Sequence, residues 1–182
     1  MHTDRLAIIT VGKTHSGKTT FARALESQLE NAVVIDQDNH AEFVNAHYLK
    51  LRPKDGPNTL KYAITHAIVN YAVHQTDSHL ILCNSNLARK GRTELLDFFR
   101  GNAFTTVIVY FDIPDEVLRL RVAESQRSKA IFRSASTFEE VLMRQQSSEA
   151  PDASESDHFY TIRSNEELPD VIAQIIQGTF NP

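Results

Sequence analysis

The stretch Val11–Leu25, VGKTHSGKTTFARAL, decides how the rest of the chain is read. Gly12-Lys13-Thr14-His15-Ser16-Gly17-Lys18-Thr19 fits the pattern G-x-x-x-x-G-K-[ST]. An apolar, β-branched run, LAIITV, leads into it, and Phe21, Leu25 and Leu29 follow at helical spacing. A strand, a glycine loop and a helix in that order make a phosphate cradle. Glycine lets backbone N–H groups turn inward, and the helix adds the positive end of its dipole. The pattern assigns Lys18 to the β- and γ-phosphates of a nucleoside triphosphate and the Thr19 hydroxyl to Mg²⁺. Gly12, Lys13, Thr14, His15, Ser16, Gly17, Lys18, Thr19 and Thr20 are therefore the candidate nucleotide-binding residues. Within that loop His15 reads as an exposed, variable position without a task of its own.

Length and composition bound what can be built around the loop. At 182 residues, 41% hydrophobic and 23% charged, the chain is expected to form a single folded domain over residues 1–182. A net charge of −4 argues against a surface committed as a whole to a polyanion, though it leaves room for a local basic patch. The amino-terminal run reads as a buried strand rather than a signal peptide. No stretch approaches the roughly 18 consecutive apolar residues of a membrane span. The expectation is a cytoplasmic protein without membrane contact. The one cysteine, Cys83, lies in an apolar run and reads as a small core residue.

Four continuous apolar runs predict strands buried on both faces: LAIITV (6–11), AVVID (32–36), HLILC (79–83) and TTVIVYF (105–111). A fifth, weaker run is HFYTI (158–162). Helical spacing appears between them. KTTFARALESQLE (18–30) is one such segment, and in NTLKYAITHAIVNYAV the residues Leu60, Ile64, Ala67, Ile68 and Tyr71 fall on one stripe. EELPDVIAQII closes the chain. The alternation predicts an α/β layered sheet with right-handed crossovers. Ser147–Asp157, SSEAPDASESD, lacks apolar periodicity and is expected to be a mobile surface loop.

The strand ends must then say what receives the phosphate, because ligands collect at the carboxyl edge of a parallel sheet. VVIDQDNH brings Asp36 and Asp38 there. Asp38, further out on the rim, is the candidate base for an attacking hydroxyl. The competing reading makes it the cap of a helix starting near Asn39. After the third strand, ILCNSNLARKGR offers Asn84, Ser85 and Asn86 as ligands of a substrate phosphate or hydroxyl, or as a turn that starts a helix over 89–99. Arg92 points to the same rim or stands on the surface. Past the fourth strand, FDIPDEVLRLR opens a basic segment with Arg119, Arg121, Arg127, Lys129 and Arg133, expected to act as a lid over about 119–136. The segment lacks a guanine-reading N-K-x-D sequence, as does the rest of the chain.

In this order the motifs GxxxxGKT, IDQDNH, NSNLARKGR and FDIPDEVLRLR, followed by a basic lid, resemble the polynucleotide 5′-hydroxyl kinase branch of the P-loop kinases, whose relatives include zeta-toxin-type and gluconate-type kinases. The resemblance runs from Ile8 to Ile162. It implies an α/β P-loop NTPase three-layer sandwich with a mostly parallel five-stranded sheet and a helical lid. It further implies that ATP and Mg²⁺ are bound by Lys18 and Thr19, that Asp38 is the base, that Ser85 lies near the acceptor and that Arg127 is the catalytic lid arginine. Two positions depart from the pattern: Ala41 stands where an arginine commonly grips the substrate phosphate, and Asn84-Ser85-Asn86 replaces an aspartate-threonine-asparagine triplet.

The expectation is a kinase that moves the γ-phosphate of ATP to a hydroxyl of a small molecule or nucleoside, with Lys18, Asp38 and Arg127 catalytic. Asp36, His40, Asn84, Ser85, Asn86 and Arg92 are the candidate substrate ligands. His40, His47 and Tyr48 are expected on or near the acceptor wall, in packing or substrate hydrogen bonds rather than on zinc. The alternatives are a polynucleotide 5′-hydroxyl kinase and a nucleotide-binding regulatory protein that transfers nothing.

Overall fold

The computed structural model describes residues 5–132 and 137–180. Five strands, β1 (Arg5–Gly12), β2 (Ala32–Asp36), β3 (His79–Cys83), β4 (Phe104–Phe111) and β5 (His158–Ile162), form one sheet in the order β2-β3-β1-β4-β5. Every pairing in it is parallel. The mostly parallel sheet read from the sequence is thus all-parallel among the described residues. Its strands are the continuous apolar runs, because both faces are covered by helices.

The helices are α1 (Lys18–Glu26), α2 (Gln37–His47), α3 (Thr59–Gln75), α4 (Arg89–Gly101), α5 (Asp115–Ala123), α6 (Phe138–Gln145) and α7 (Leu168–Phe180). Side chains alternate across β1, so Leu6 and Ile8 pack with α1, α5, α6 and α7 through Phe21, Leu25, Leu118, Leu142 and Ile172. Ala7, Ile9 and Val11 pack on the other face with α3 and α4 through Val69, Val73, Leu96 and Phe99. The result is a three-layer α/β sandwich with the glycine loop at the carboxyl edge of its central strand.

Three sequence expectations need correction. The apolar stripe on α3 is not its core face: Val69, Ala72 and Val73 are buried, whereas Ala67, Ile68 and Tyr71 are exposed. Polar residues such as Lys61, His66, Asn70 and Gln75 are spread around this helix among the apolar ones, so periodicity gave no single polar face from which to choose a side. α1 stops at Glu26 instead of running through Glu30, and Asn31 takes a left-handed conformation (φ 58°) that turns the chain into β2. The acidic segment 147–157 is not a free loop either. Asp152 and Glu155 close a capping box around a short 3₁₀ turn, Ala153–Glu155. Asp157 accepts hydrogen bonds from the Thr106 backbone and hydroxyl, at 2.8 and 2.6 Å, which ties the segment to β4. Arg133 and the rest of the expected lid over 133–136 lie outside the described residues. No described helix is long and apolar enough to cross a membrane.

Candidate active site

Two contacts set the glycine loop beside the ends of its neighbouring strands. Gly12 N–H donates to Ser85 O at 3.0 Å, and a Cβ added to Gly12 would lie 2.8 Å from Phe111 Cβ. Only glycine allows β1 and β4 to approach so closely there. Gly17 holds a left-handed conformation (φ 99°) at the start of α1 and has no side chain to cap it, so the first N–H groups of the helix are left for a ligand. Lys18 Nζ donates to Lys13 O at 2.5 Å and Ser16 Oγ at 3.1 Å. Burial within the loop lowers the Lys18 ammonium to about 8, opposed in part by Asp38 and Asp36. Lys13 itself is turned away into an ion pair with Asp115 at 2.6 Å. Thr19 and Thr20 stand exposed at the head of α1.

The loop opens on a cleft of about 580 Å³ that also takes in Asp36, Asp38, Asn84, Ser85 and Arg127. The competing cap reading of Asp38 is resolved in favour of Asp36: its Oδ1 accepts from Asp38 N–H at 2.9 Å and caps α2. Burial pushes the Asp36 carboxyl up against that hydrogen bond. Asp38, in the first turn of α2, lines the cleft, and Arg127 Nη2 donates to its Oδ2 at 2.5 Å. The Arg127 guanidinium also lies 5.4 Å over the Phe138 ring. Cys83 keeps the core role read for it. Burial raises its thiol to about 11, and its nearest polar contact is the Thr19 hydroxyl at 3.6 Å.

The Asn84-Ser85-Asn86 turn continues the β1–β3 pairing past the end of β3. Thr10 Oγ1 donates to Asn84 O, and Asn86 Nδ2 donates to Thr10 O at 2.9 Å. Asn84 uses its own Oδ1 on Ser85 N–H and its Nδ2 on Gln37 Oε1 at 3.0 Å. Of the three side chains only the Ser85 hydroxyl has no hydrogen-bond partner among the described residues.

Three expected site residues behave otherwise than the sequence suggested. Arg92 is neither a rim ligand nor a surface group. It is 1% exposed, forks onto Glu155 at 2.8 and 2.9 Å, and donates to Asn86 O and Leu87 O. Four of its five N–H donors are committed inside the fold, so the guanidinium serves packing rather than a rim ligand. His40 turns towards α3, its Nδ1 2.7 Å from Thr65 Oγ1, while His47 and Tyr48 are exposed beside Phe43. His15 is not an idle exposed position. It is half-buried in a left-handed conformation (φ 58°), with Nδ1 3.0 Å from Thr14 Oγ1 and Nε2 2.8 Å from Ser125 Oγ, and its ring is edge-on to Phe138.

These contacts expose residues that sequence reasoning missed. Ser125 bridges His15 and the Arg127 N–H. Asn45 on α2 donates to Ala130 O at 2.6 Å, and Arg52 holds its Oδ1. Gln145 Oε1 accepts from Thr14 N–H at 2.7 Å. The start of α6 was legible in Thr137-x-x-Glu140, which forms a full capping box. The other contacts join residues distant in sequence and leave no local signal.

The model of the AAA domain family (AAA_33) matches residues 8–151, well over half of the chain. Comparison with curated proteins finds no match. Among solved structures, Kti12 from Chaetomium thermophilum in complex with ADP-AlF3 is 17% identical with a TM-score of 0.64, over 94% of this chain and 97% of that one. A putative kinase from Chloroflexus aurantiacus is 18% identical with a TM-score of 0.66, over 96% and 98%. The Mycobacterium tuberculosis APS kinase CysC in complex with AMPPNP and APS is 17% identical with a TM-score of 0.59, over 94% and 98%. At these identities the likeness is one of fold, and the family match adds the sequence to it: the chain belongs to the AAA domain family and has the fold of the P-loop kinases.

Proposed function

We propose that the protein transfers the γ-phosphate of ATP to a hydroxyl of a small molecule or nucleoside. The observation that carries this reading is the convergence of Lys18, Asp38 and Arg127 on one cleft at the carboxyl edge of the sheet. The loop N–H groups and Lys18 hold the polyphosphate, and the cation at Lys18 offsets charge on the transferred group. Thr19 and Asp36 are the residues that would hold Mg²⁺. A hydroxyl and a carboxylate are hard oxygen donors of the kind this ion takes together with phosphate oxygens. Held by them, it would neutralise charge on the phosphates. Asp38 orients the acceptor hydroxyl and takes its proton. Arg127 exchanges Asp38 for the phosphoryl oxygens, which frees the carboxylate when a phosphate is present to accept the guanidinium. Asn45, holding the chain at Ala130, keeps that segment over the cleft and limits access of water.

Proteins of the same fold support this reading. One is in complex with ADP-AlF3, one is an APS kinase with AMPPNP, and one is a putative kinase. A second reading, a nucleotide-binding regulator without transfer, is favoured by Asn84, an amide committed to Gln37 and Ser85 where a carboxylate would assist the metal. Incubating the protein with Mg²⁺, γ-labelled ATP and a panel of nucleosides, sugars, antibiotics and 5′-hydroxyl oligonucleotides separates the readings. Label in a small hydroxylated compound supports the proposal, and label in the oligonucleotide favours a polynucleotide 5′-hydroxyl kinase. Nucleotide bound with no label moved favours the regulator.

A further inference from the structure

α6 ends at Gln145, the residue that reaches the glycine loop. A backbone N–H only donates, so the hydrogen bond from Thr14 N–H fixes which way the amide faces. Oε1 is against the loop, and Nε2 is directed away from that contact. Nε2 has no hydrogen-bond partner among the described residues. Gln145 borders both the cleft lined by Lys18 and Asp38 and a neighbouring cavity lined by Asn84, Ser85 and Tyr62. It thus stands between the cleft of the glycine loop and the third strand end. The Lys13–Thr14 peptide joins the two sides, because its carbonyl receives Lys18 Nζ and its N–H holds Gln145.

We infer that Gln145 is a γ-phosphate ligand: with Oε1 pinned by Thr14, its Nε2 donates to an oxygen of the transferring phosphoryl group and makes the site distinguish a nucleoside triphosphate from a diphosphate. The inference rests on the nucleotide reading above and adds to it a residue outside the G-x-x-x-x-G-K-[ST] motif. Elsewhere in phosphoryl transfer a glutamine amide orients the attacking group at the same step, so the chemistry suits the side chain. A pinned amide serves better than a free one, because the rotamer freedom is already lost before the nucleotide binds.

The rival is a tie that merely holds α6 to the loop, and charge separates the two. Gln145→Glu keeps the size of the side chain and an oxygen for Thr14 N–H, but sets a negative charge against the γ-phosphate. Gln145→Met keeps the bulk and removes both polar groups. Each variant is titrated calorimetrically with ADP and with AMPPNP in the presence of Mg²⁺, after a melting curve shows that it folds. The expected result is ADP affinity within about twofold of wild type for Gln145→Glu, with AMPPNP weakened about tenfold or more. Gln145→Met should weaken AMPPNP selectively and by less. Parallel loss of both nucleotides, or no change in either, overturns the inference in favour of a structural tie. A wild-type protein that binds neither nucleotide overturns the nucleotide reading itself, and this inference with it.

Discussion

The Arg127 guanidinium donates to the Asp38 carboxylate at 2.5 Å across the cleft, joining the segment after α5 to the first turn of α2. The pair is about two-fifths exposed on each side, so its own contribution to stability is small. In the proposed transfer its consequence is competition: a phosphoryl oxygen that draws Arg127 away would leave Asp38 free to accept a proton. Arg127→Ala is therefore expected to lower turnover roughly 10³-fold with little change in melting temperature, measured by single-turnover kinetics and calorimetry. Arg127→Lys should recover only a small part, since one ammonium does not reproduce the planar fork.

The lowered ammonium of Lys18 makes nucleotide affinity depend on pH. A bound polyphosphate favours the charged lysine and raises its pKa, so binding takes up a proton wherever the free protein has lost it. Affinity for AMPPNP should be flat below about pH 8 and fall above it, towards tenfold per pH unit. For folding the sign is opposite. A lysine depressed in the folded state favours folding more as pH rises from about 8 towards its unfolded value near 10.4. Titrations of Lys18→Met, which should bind at least a hundredfold more weakly, should lack the pH-dependent limb.

Arg92 and Glu155 should govern stability rather than chemistry. Arg92 is fully buried and Glu155 nearly so, and removing one partner strands the other. Glu155→Ala is expected to cost about 3–5 kcal/mol in urea unfolding while leaving the nucleotide affinity of the folded protein within about twofold. Hydrogen bonds from Arg92 hold the Glu155 carboxyl below the usual glutamate range. A depressed carboxylate stabilises above its unfolded pKa and loses that contribution as pH falls through the folded one. Acid unfolding of wild type should thus steepen below about pH 4, and Glu155→Gln should flatten that limb.

Gly12→Ala tests the close approach of β1 and β4. The added methyl would meet the backbone-borne Phe111 Cβ at 2.8 Å and Ser16 Oγ at 3.0 Å, and Phe111 is held by its own strand pairing. About 1–3 kcal/mol of stability should be lost. Nucleotide binding should fall with it, read from the same calorimetric titration, because Ser16 and the loop must shift.

The sequence was most informative where a local pattern and a buried position coincide. The continuous runs at 6–11, 32–36, 79–83 and 105–111 mark strands because helices cover both faces of the sheet. G-x-x-x-x-G-K-T marks the loop because backbone geometry there depends on glycine. α3 could not be oriented from its sequence, since its polar and apolar residues are spread over all sides. Arg92 was misread for a different reason: its partner Glu155 lies 63 residues away in a segment whose acidic, small-residue composition resembles solvent-exposed chain. His15 and Gln145 show the same limit, since Ser125 and Thr14 meet them only once the glycine loop, the end of α5 and α6 have packed together.

The most direct test of the account follows γ-labelled phosphate from ATP into a hydroxyl acceptor with wild type and Asp38→Asn side by side, with AMPPNP affinity measured on both. The account predicts labelled acceptor from wild type, loss of labelling in Asp38→Asn, and affinity for AMPPNP retained or raised because Arg127 is released from its carboxylate partner. Transfer by Asp38→Asn at the wild-type rate would contradict it.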